Sequence, residues 1–153
     1  MDISAYSVLL ALHNFTRWAV LILGLFAIGQ VLYGWIKDRP WTSAHRRAGQ
    51  LYTISLDIQL LIGILLVFFS PIVEVALSNF SAALETEQLR FFIIEHIPLM
   101  VIAIVLAHIG NARAKKVEGD RNRHKQALIW YSLSLAGVIL AIPWWRPLLP
   151  WIG

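Results

Sequence analysis

Four long apolar stretches dominate the chain and leave only short polar connections between them. They cover residues 7–35, 50–72, 90–112 and 126–143. Each is at or near the ~20 residues that an α-helix needs to cross ~30 Å of hydrocarbon. Residues 16–35, TRWAVLILGLFAIGQVLYGW, are apolar on all sides and do not alternate, which predicts a helix and not a barrel strand. The pattern therefore predicts a single membrane domain, residues 1–153, folded as an all-α, up-and-down four-helix bundle.

The composition agrees with a membrane protein. Of the 153 residues, 58% are hydrophobic and 14% are charged, and the mean hydropathy of +0.66 is too high for a soluble domain. The first apolar stretch is much longer than the core of a signal peptide and no basic residues precede it, so we predict a retained spanning helix. The chain has no cysteine, which excludes disulfides, thiolate metal sites, cysteine catalysis and cysteine-held iron–sulfur clusters.

The charged residues predict the orientation in the membrane. The second connection is acidic, whereas most basic residues fall in the first and third connections: Lys37, Arg39, Arg46, Arg47, Arg113, Lys115, Lys116, Arg121, Arg123 and Lys125. Basic connections stay in the cytoplasm. Both termini are therefore predicted to lie outside, and the net charge of +4 reflects orientation and anionic lipid, with no nucleic acid as a partner.

Two histidines inside the first and third stretches are predicted to lie at one depth. His13 is about eight residues outside the midpoint of its stretch and His96 about five, an offset of only ~4–5 Å along the helix axes. Arg17 shares the helix face of His13, and Glu95 adjoins His96. Ionisable groups at membrane depth are costly and usually face a cavity, a cofactor or the bundle interior.

Three interpretations of this polar level remain open. In the first, neutral imidazoles of His13 and His96 bind a haem iron from both faces, with Arg17 or another polar group near the propionates. In the second, His96 and Glu95 exchange protons with a bound quinone. In the third, the residues only stabilise the fold: Glu95 neutralises Arg17, and the histidines bond to backbone carbonyls.

A second polar level lies nearer the cytoplasm, where Asp57 and Gln59 of the second stretch approach His108 of the third. A hydrogen bond between Asp57 and His108 is predicted, which could relay protons, hold a second cofactor or simply pack the helices. His45 and His124 belong to the basic connections and are predicted to be solvated.

Several common chemistries have no support in the sequence. It contains no glycine-rich phosphate loop, no HExxH and no Gly-x-Ser-x-Gly, so nucleotide, zinc-protease and serine-hydrolase functions are not indicated. Four spans without inverted repeats or broken half-helices also do not favour a transporter.

The sequence resembles small four-helix bacterial membrane proteins labelled cytochrome b-like. The resemblance runs through nearly the whole chain and is carried by LHNFTRW (12–18), IQLLIGILLVFFSP (58–71), RFFIIEHIPLMVIAI (90–104), HIGNARAKK (108–116), HKQALIWY (124–131) and IPW (142–144). It implies a multi-pass protein of the bacterial inner membrane in which His13, Glu95 and His96 are the marked positions. That family tends to carry a histidine where this chain has Asp57, so the resemblance leaves His13 and His96 as the haem-ligand pair.

The predicted function is that of a b-type cytochrome. Haem b is expected between the first and third helices near the outer face, bound by His13, Arg17, Glu95 and His96, with the two histidines as iron ligands. Electrons would pass to or from quinone or a partner complex. The alternative is a cofactor-free accessory subunit of a larger respiratory or photosynthetic complex. Besides the lipid bilayer, other membrane subunits or further copies of the same chain are the expected partners.

Overall fold

The computed structural model describes residues 4–146, in which every regular element is a helix and no strand occurs. Four long helices carry the fold, and short helices connect the second long helix to the third. In chain order the elements are α1 (Ala5–Ile36), α2 (Ser43–Phe69), α3 (Pro71–Ser78), α4 (Phe80–Glu85), α5 (Glu87–Arg90), a π-helical turn (Phe91–His96), α6 (Ile97–Lys116) and α7 (Asp120–Ala141).

The first connection begins at a tight helix end. Asp38 takes a left-handed conformation with φ 48°, and the N–H of Arg39 bonds to the carbonyl of Gly34 at 2.9 Å. This is the pattern by which a helix satisfies its last carbonyls, and Pro40 follows, which cannot continue a helix. The first apolar stretch was predicted to end at residue 35, and α1 ends at Ile36.

The second helix begins earlier than the hydrophobic pattern predicts. Residues 43–49, which precede the predicted span, form the first turns of α2. Thr42 is the N-cap, and its backbone N–H donates to Nδ1 of His45 at 3.1 Å. A histidine here takes the place of the usual glutamate of a capping box. Hydropathy could not reveal these turns because they are polar.

The four long helices pack in chain order around a common core. α1 lies against α2 and α7, and α6 lies against α7 and α2. The core combines small residues with two large, fully buried tyrosines, Tyr52 and Tyr131, whose ring centroids are 6.0 Å apart. Gly24 and Gly110 provide the space: a Cβ at these positions would lie 2.8 Å from the Tyr52 ring and 2.7 Å from the Tyr131 ring, respectively.

Both tyrosine hydroxyls are satisfied within the core. Tyr52 bonds to Ser134 at 2.9 Å, and Ser134 donates to the carbonyl of Ala103 at 2.6 Å. Tyr131 donates to Asn111 at 2.5 Å, and Asn111 in turn donates to Thr53 at 3.1 Å. These bonds join α2, α6 and α7, and they avoid the cost of an unpaired polar group in an apolar core.

Three helical segments among the described residues are long and apolar enough to cross a membrane: Ala5–Ile36, Ser43–Phe69 and Glu87–Lys116. α7 packs beside them, but its first turns carry the charged residues of the third connection. The second connection differs from the prediction of an acidic loop, since it folds into α3, α4 and α5. The location of both termini on the outer side of the membrane stays a prediction.

Two glycines of α1 offer a matched test of this packing. A Cβ on Gly34 would lie 2.2 Å from Cε1 of the buried His124 ring, whereas a Cβ on Gly29 meets nothing within 4 Å. We expect Gly34→Ala to destabilise the protein by about 1–3 kcal/mol through overpacking. Gly29→Ala should leave stability unchanged or slightly raised. Thermal unfolding of both variants in detergent measures the difference, and equal midpoints would contradict the packing described here.

Candidate functional site

A large cavity lies among the long helices, at the end of the protein that holds the start of α1 and the end of α2. Its volume is about 580 Å³, within the range of small-molecule and cofactor sites. The wall is mainly aliphatic and aromatic, and none of the described residues that line it is acidic. Its polar lining residues are Tyr6, His13, Asn14, Arg17, Gln59, Ser70, His96 and Arg146.

His13 and His96 meet at this cavity, as their predicted depths require. Their ring centroids are 6.2 Å apart and the ring planes are inclined by 64°. The predicted approach of these two side chains across the first and third long helices is therefore confirmed. The rings are neither stacked nor on opposite sides of the protein.

A backbone hydrogen bond fixes the tautomer of His96. Its Nδ1 lies 2.7 Å from the carbonyl oxygen of Ala141, and since a carbonyl can only accept, Nδ1 carries the proton. Ala141 is the last residue of α7, where carbonyls have no partner inside the helix. Nε2 of the neutral ring is consequently left with a free lone pair.

Pro98 explains the irregular backbone at His96. Proline has no N–H and its ring clashes with the carbonyl one turn earlier, so a regular helix cannot continue through it undisturbed. The chain forms the π-helical turn Phe91–His96 directly before α6. Such turns are rare in proteins overall, and many of those known lie at functional sites. The helix type therefore changes at His96, directly before α6.

His13 is held by contacts with α2. Its backbone carbonyl accepts a hydrogen bond from Nε2 of Gln59 at 2.9 Å, and Thr16 donates to the amide oxygen of the same Gln59. The ring packs over Gly63, where a Cβ would lie 3.4 Å from Cε1 of His13. Its Nδ1 is buried and has no hydrogen-bond partner among the described residues. Since nearly all buried polar atoms have a partner, this exception needs an explanation.

Arg17 follows His13 by one helical turn in α1, lines the cavity and is only 7% exposed. Arg17 thus faces the cavity, as expected for an ionisable group at membrane depth. The predicted pairing of Arg17 with Glu95 is wrong. Glu95 does not line the cavity; its Oε1 lies 3.5 Å from Nε of Arg90, and both side chains are nearly half exposed. Successive side chains of a helix point in different directions, so Glu95 turns away when His96 faces the cavity.

The second polar level forms the predicted hydrogen bond. Nε2 of His108 lies 2.9 Å from Oδ1 of Asp57, and the two side chains are 53% and 43% exposed. Neither residue lines the cavity. Gln59, assigned from sequence to this level, instead supports His13.

The prediction that His45 and His124 are solvated is wrong. His124 is fully buried and His45 is 8% exposed. Their ring centroids are 4.6 Å apart, the Trp41 ring stacks on His45, and Nε2 of His124 donates to the carbonyl of Arg39 at 3.1 Å. Sequence reasoning treated the first connection as open to solvent. The one residue in the sequence that could have indicated the burial of His124 is Gly34, which leaves room for the His124 ring.

Comparison with protein-family models, with curated proteins and with solved structures finds no match. Within residues 4–146, no group of three or more histidine or carboxylate side chains is placed to hold a metal ion. His13 and His96 are thus a pair of protein ligands at most, and an iron between them would need its other ligands from a prosthetic group.

The separation of Arg17 from Glu95 gives a stability prediction. We expect Arg17→Leu and Glu95→Gln to change the free energy of unfolding additively, within about 0.5 kcal/mol, because residues that share no contact do not couple. Unfolding of the two single variants and the double variant in detergent measures the coupling. A coupling of more than about 1 kcal/mol would contradict the described positions.

Proposed function

We propose that this protein is a four-helix b-type cytochrome of the bacterial inner membrane, which binds haem b between His13 and His96 and exchanges electrons with quinone or a partner complex. The observation that carries the proposal is the placement of the two imidazoles. Two imidazoles on one iron have ring centroids about 6 Å apart, because each iron–nitrogen bond is about 2 Å and each nitrogen lies about 1 Å from its ring centre. The centroid distance here is 6.2 Å.

The hydrogen bond of His96 supports a ligand role. Metal-bound histidines usually donate their second ring N–H to a carbonyl or carboxylate, which orients the ring and makes the ligating nitrogen more basic. The bond from His96 Nδ1 to Ala141 has this form. The buried Nδ1 of His13, which lacks a protein partner within the described chain, also fits a site that a bound group completes.

The cavity has the chemistry that a haem requires. Its apolar wall suits a porphyrin ring, and its charged lining residues, Arg17 and Arg146, suit the two propionates. Arg146 lies over the Phe92 ring at 4.8 Å. Glu95 lies outside the cavity wall and is not among the proposed haem contacts.

Together with the four nitrogens of a porphyrin, the two histidines would leave no open coordination position on the iron, which would suit electron transfer. A bound haem would supply the one-electron carrier. The role of the protein would then be to hold both imidazoles neutral and oriented, to exclude water with apolar side chains, and to neutralise the propionates. Gln59 and Thr16 would act as positioning residues, since they fix α1 against α2 at His13.

The orientation in the membrane is supported by contacts between the basic connections. Arg121 of the third connection lies 3.5 Å from Asp38 of the first, and His124 bonds to the carbonyl of Arg39. Both connections therefore occupy one end of the protein. By the positive-inside rule this end is cytoplasmic, which would place the cavity toward the outer face.

A cofactor-free accessory subunit is the second candidate. The bonds from His96 to Ala141 and from Gln59 to His13 join helices without any ligand, and such bonds alone can stabilise a membrane bundle. A cofactor-free subunit does not explain why Nδ1 of His13 is buried without a partner in the described chain, or why a large cavity lies beside it. The hypothesis of a quinone at His96 has less support, because Glu95, which was expected to exchange protons with the quinone together with His96, lies outside the cavity.

The absorption spectrum of the purified protein tests the proposal. Protein made in haem-sufficient cells should show a Soret band that sharpens and shifts on dithionite reduction. His13→Ala and His96→Ala should each lower the haem content strongly or change the band. His108→Ala is the matched control, since His108 lies outside the cavity, and should keep the wild-type spectrum. Folded, colourless wild-type protein would contradict the proposal, as would a wild-type spectrum in His96→Ala.

A reporter that is active only in the cytoplasm tests the orientation. Fused after Gly153, it should be silent, because the C-terminus is proposed to lie outside. Fused after Glu118 in the third connection, it should be active. The reverse pattern would refute both the orientation and the depth assigned to His13.

A further inference from the structure

We infer that the face formed by α2 and α6 binds a second copy of this chain, through a two-fold interface centred on Asp57 and His108. The starting observation is the exposure of this pair. Both helices belong to segments that are long and apolar enough to cross a membrane, yet the two polar side chains are about half exposed on their outer surface.

The depth of the pair makes contact with lipid unfavourable. Asp57 is about four residues from the midpoint of its apolar stretch and His108 about seven, which at ~1.5 Å per residue places both inside the hydrocarbon. Ionisable side chains at such depths almost always face protein or water. In the described chain, however, no further side chain covers this pair, so the cover has to come from outside it.

The exposed side chains next to the pair are apolar. One helical turn away on either side lie Ile54 and Leu61 of α2 and Val105 of α6, which are 51%, 62% and 51% exposed. Neither the pair nor these three residues line the large cavity. An apolar surface with a central polar pair and no pocket has the form of a helix–helix interface and not of a small-molecule site.

The pair is complementary to itself, which identifies the occupant. Asp57 uses Oδ1 and His108 uses Nε2 in the bond within the chain. Oδ2 of Asp57 and Nδ1 of His108 make no bond within the described residues, and a carboxylate oxygen accepts a hydrogen bond from a ring nitrogen that carries a proton. A two-fold rotation brings each group to its complement on the other copy, because residue i meets j and j meets i in such an interface. The two carboxyl groups and the two imidazole rings then close a ring of hydrogen bonds away from lipid.

Cysteine cross-linking tests this interface directly, because the chain has no cysteine of its own. Leu61→Cys and Val105→Cys place single thiols beside the pair. Ile22→Cys on α1 is the control, since Ile22 is 63% exposed, much like Leu61 at 62%. Oxidation in native membranes should give a covalent dimer with Leu61→Cys or Val105→Cys at several times the yield of the control. Equal yields, or a cross-link to a different protein, would overturn the inference.

Replacing both Asp57 and His108 tests whether their ring of hydrogen bonds stabilises the dimer. In the Leu61→Cys background, Asp57→Leu combined with His108→Leu keeps the surface apolar but removes the polar contacts. The dimer dissociation constant in detergent should rise roughly tenfold, since two interhelical polar bonds in a membrane together contribute about that much. An unchanged dissociation constant would refute the two-fold ring. Haem binding is not involved, so a colourless protein would leave this test unaffected.

Discussion

Polar groups buried among apolar helices must find partners inside the protein, and this requirement organises the whole structure. The tyrosine hydroxyls of the core bond to Ser134 and Asn111, which in turn bond to neighbouring helices. Near the cavity, the amide of Gln59 joins α2 to α1, and His96 joins the start of α6 to the end of α7. Each bond satisfies a polar group and also fixes the position of one long helix against another.

Two exceptions to this rule point to what the protein binds. The buried Nδ1 of His13, like that of His124, has no partner within the described residues, but only His13 lies beside a cavity that a ligand would fill. The Asp57–His108 pair is bonded internally but is half exposed at membrane depth. The first exception supports a bound cofactor and the second supports a protein partner. Both arguments use the same cost, that of a polar group left unsatisfied in an apolar environment.

The sequence predicted the long helices well because their signal is strong. A run of ~20 apolar residues has few alternatives to a spanning helix. The approach of His13 to His96 and the bond between Asp57 and His108 followed from depth alone. Depth does not define which way a side chain points. The assignment of Glu95 to the site failed for this reason, since successive side chains of a helix point in different directions. The burial of His124 was missed because it depends on a tertiary contact with Gly34.

Ligation of one iron by both histidines is the central claim, and electron paramagnetic resonance of the oxidised protein tests it most directly. The wild-type protein should give a low-spin ferric signal typical of an iron with two imidazole ligands. Replacing His13 with alanine should convert it to a high-spin signal, because His96 would remain as the single protein ligand. A high-spin signal in the wild-type protein would contradict the account, and so would a low-spin signal that survives the loss of His13.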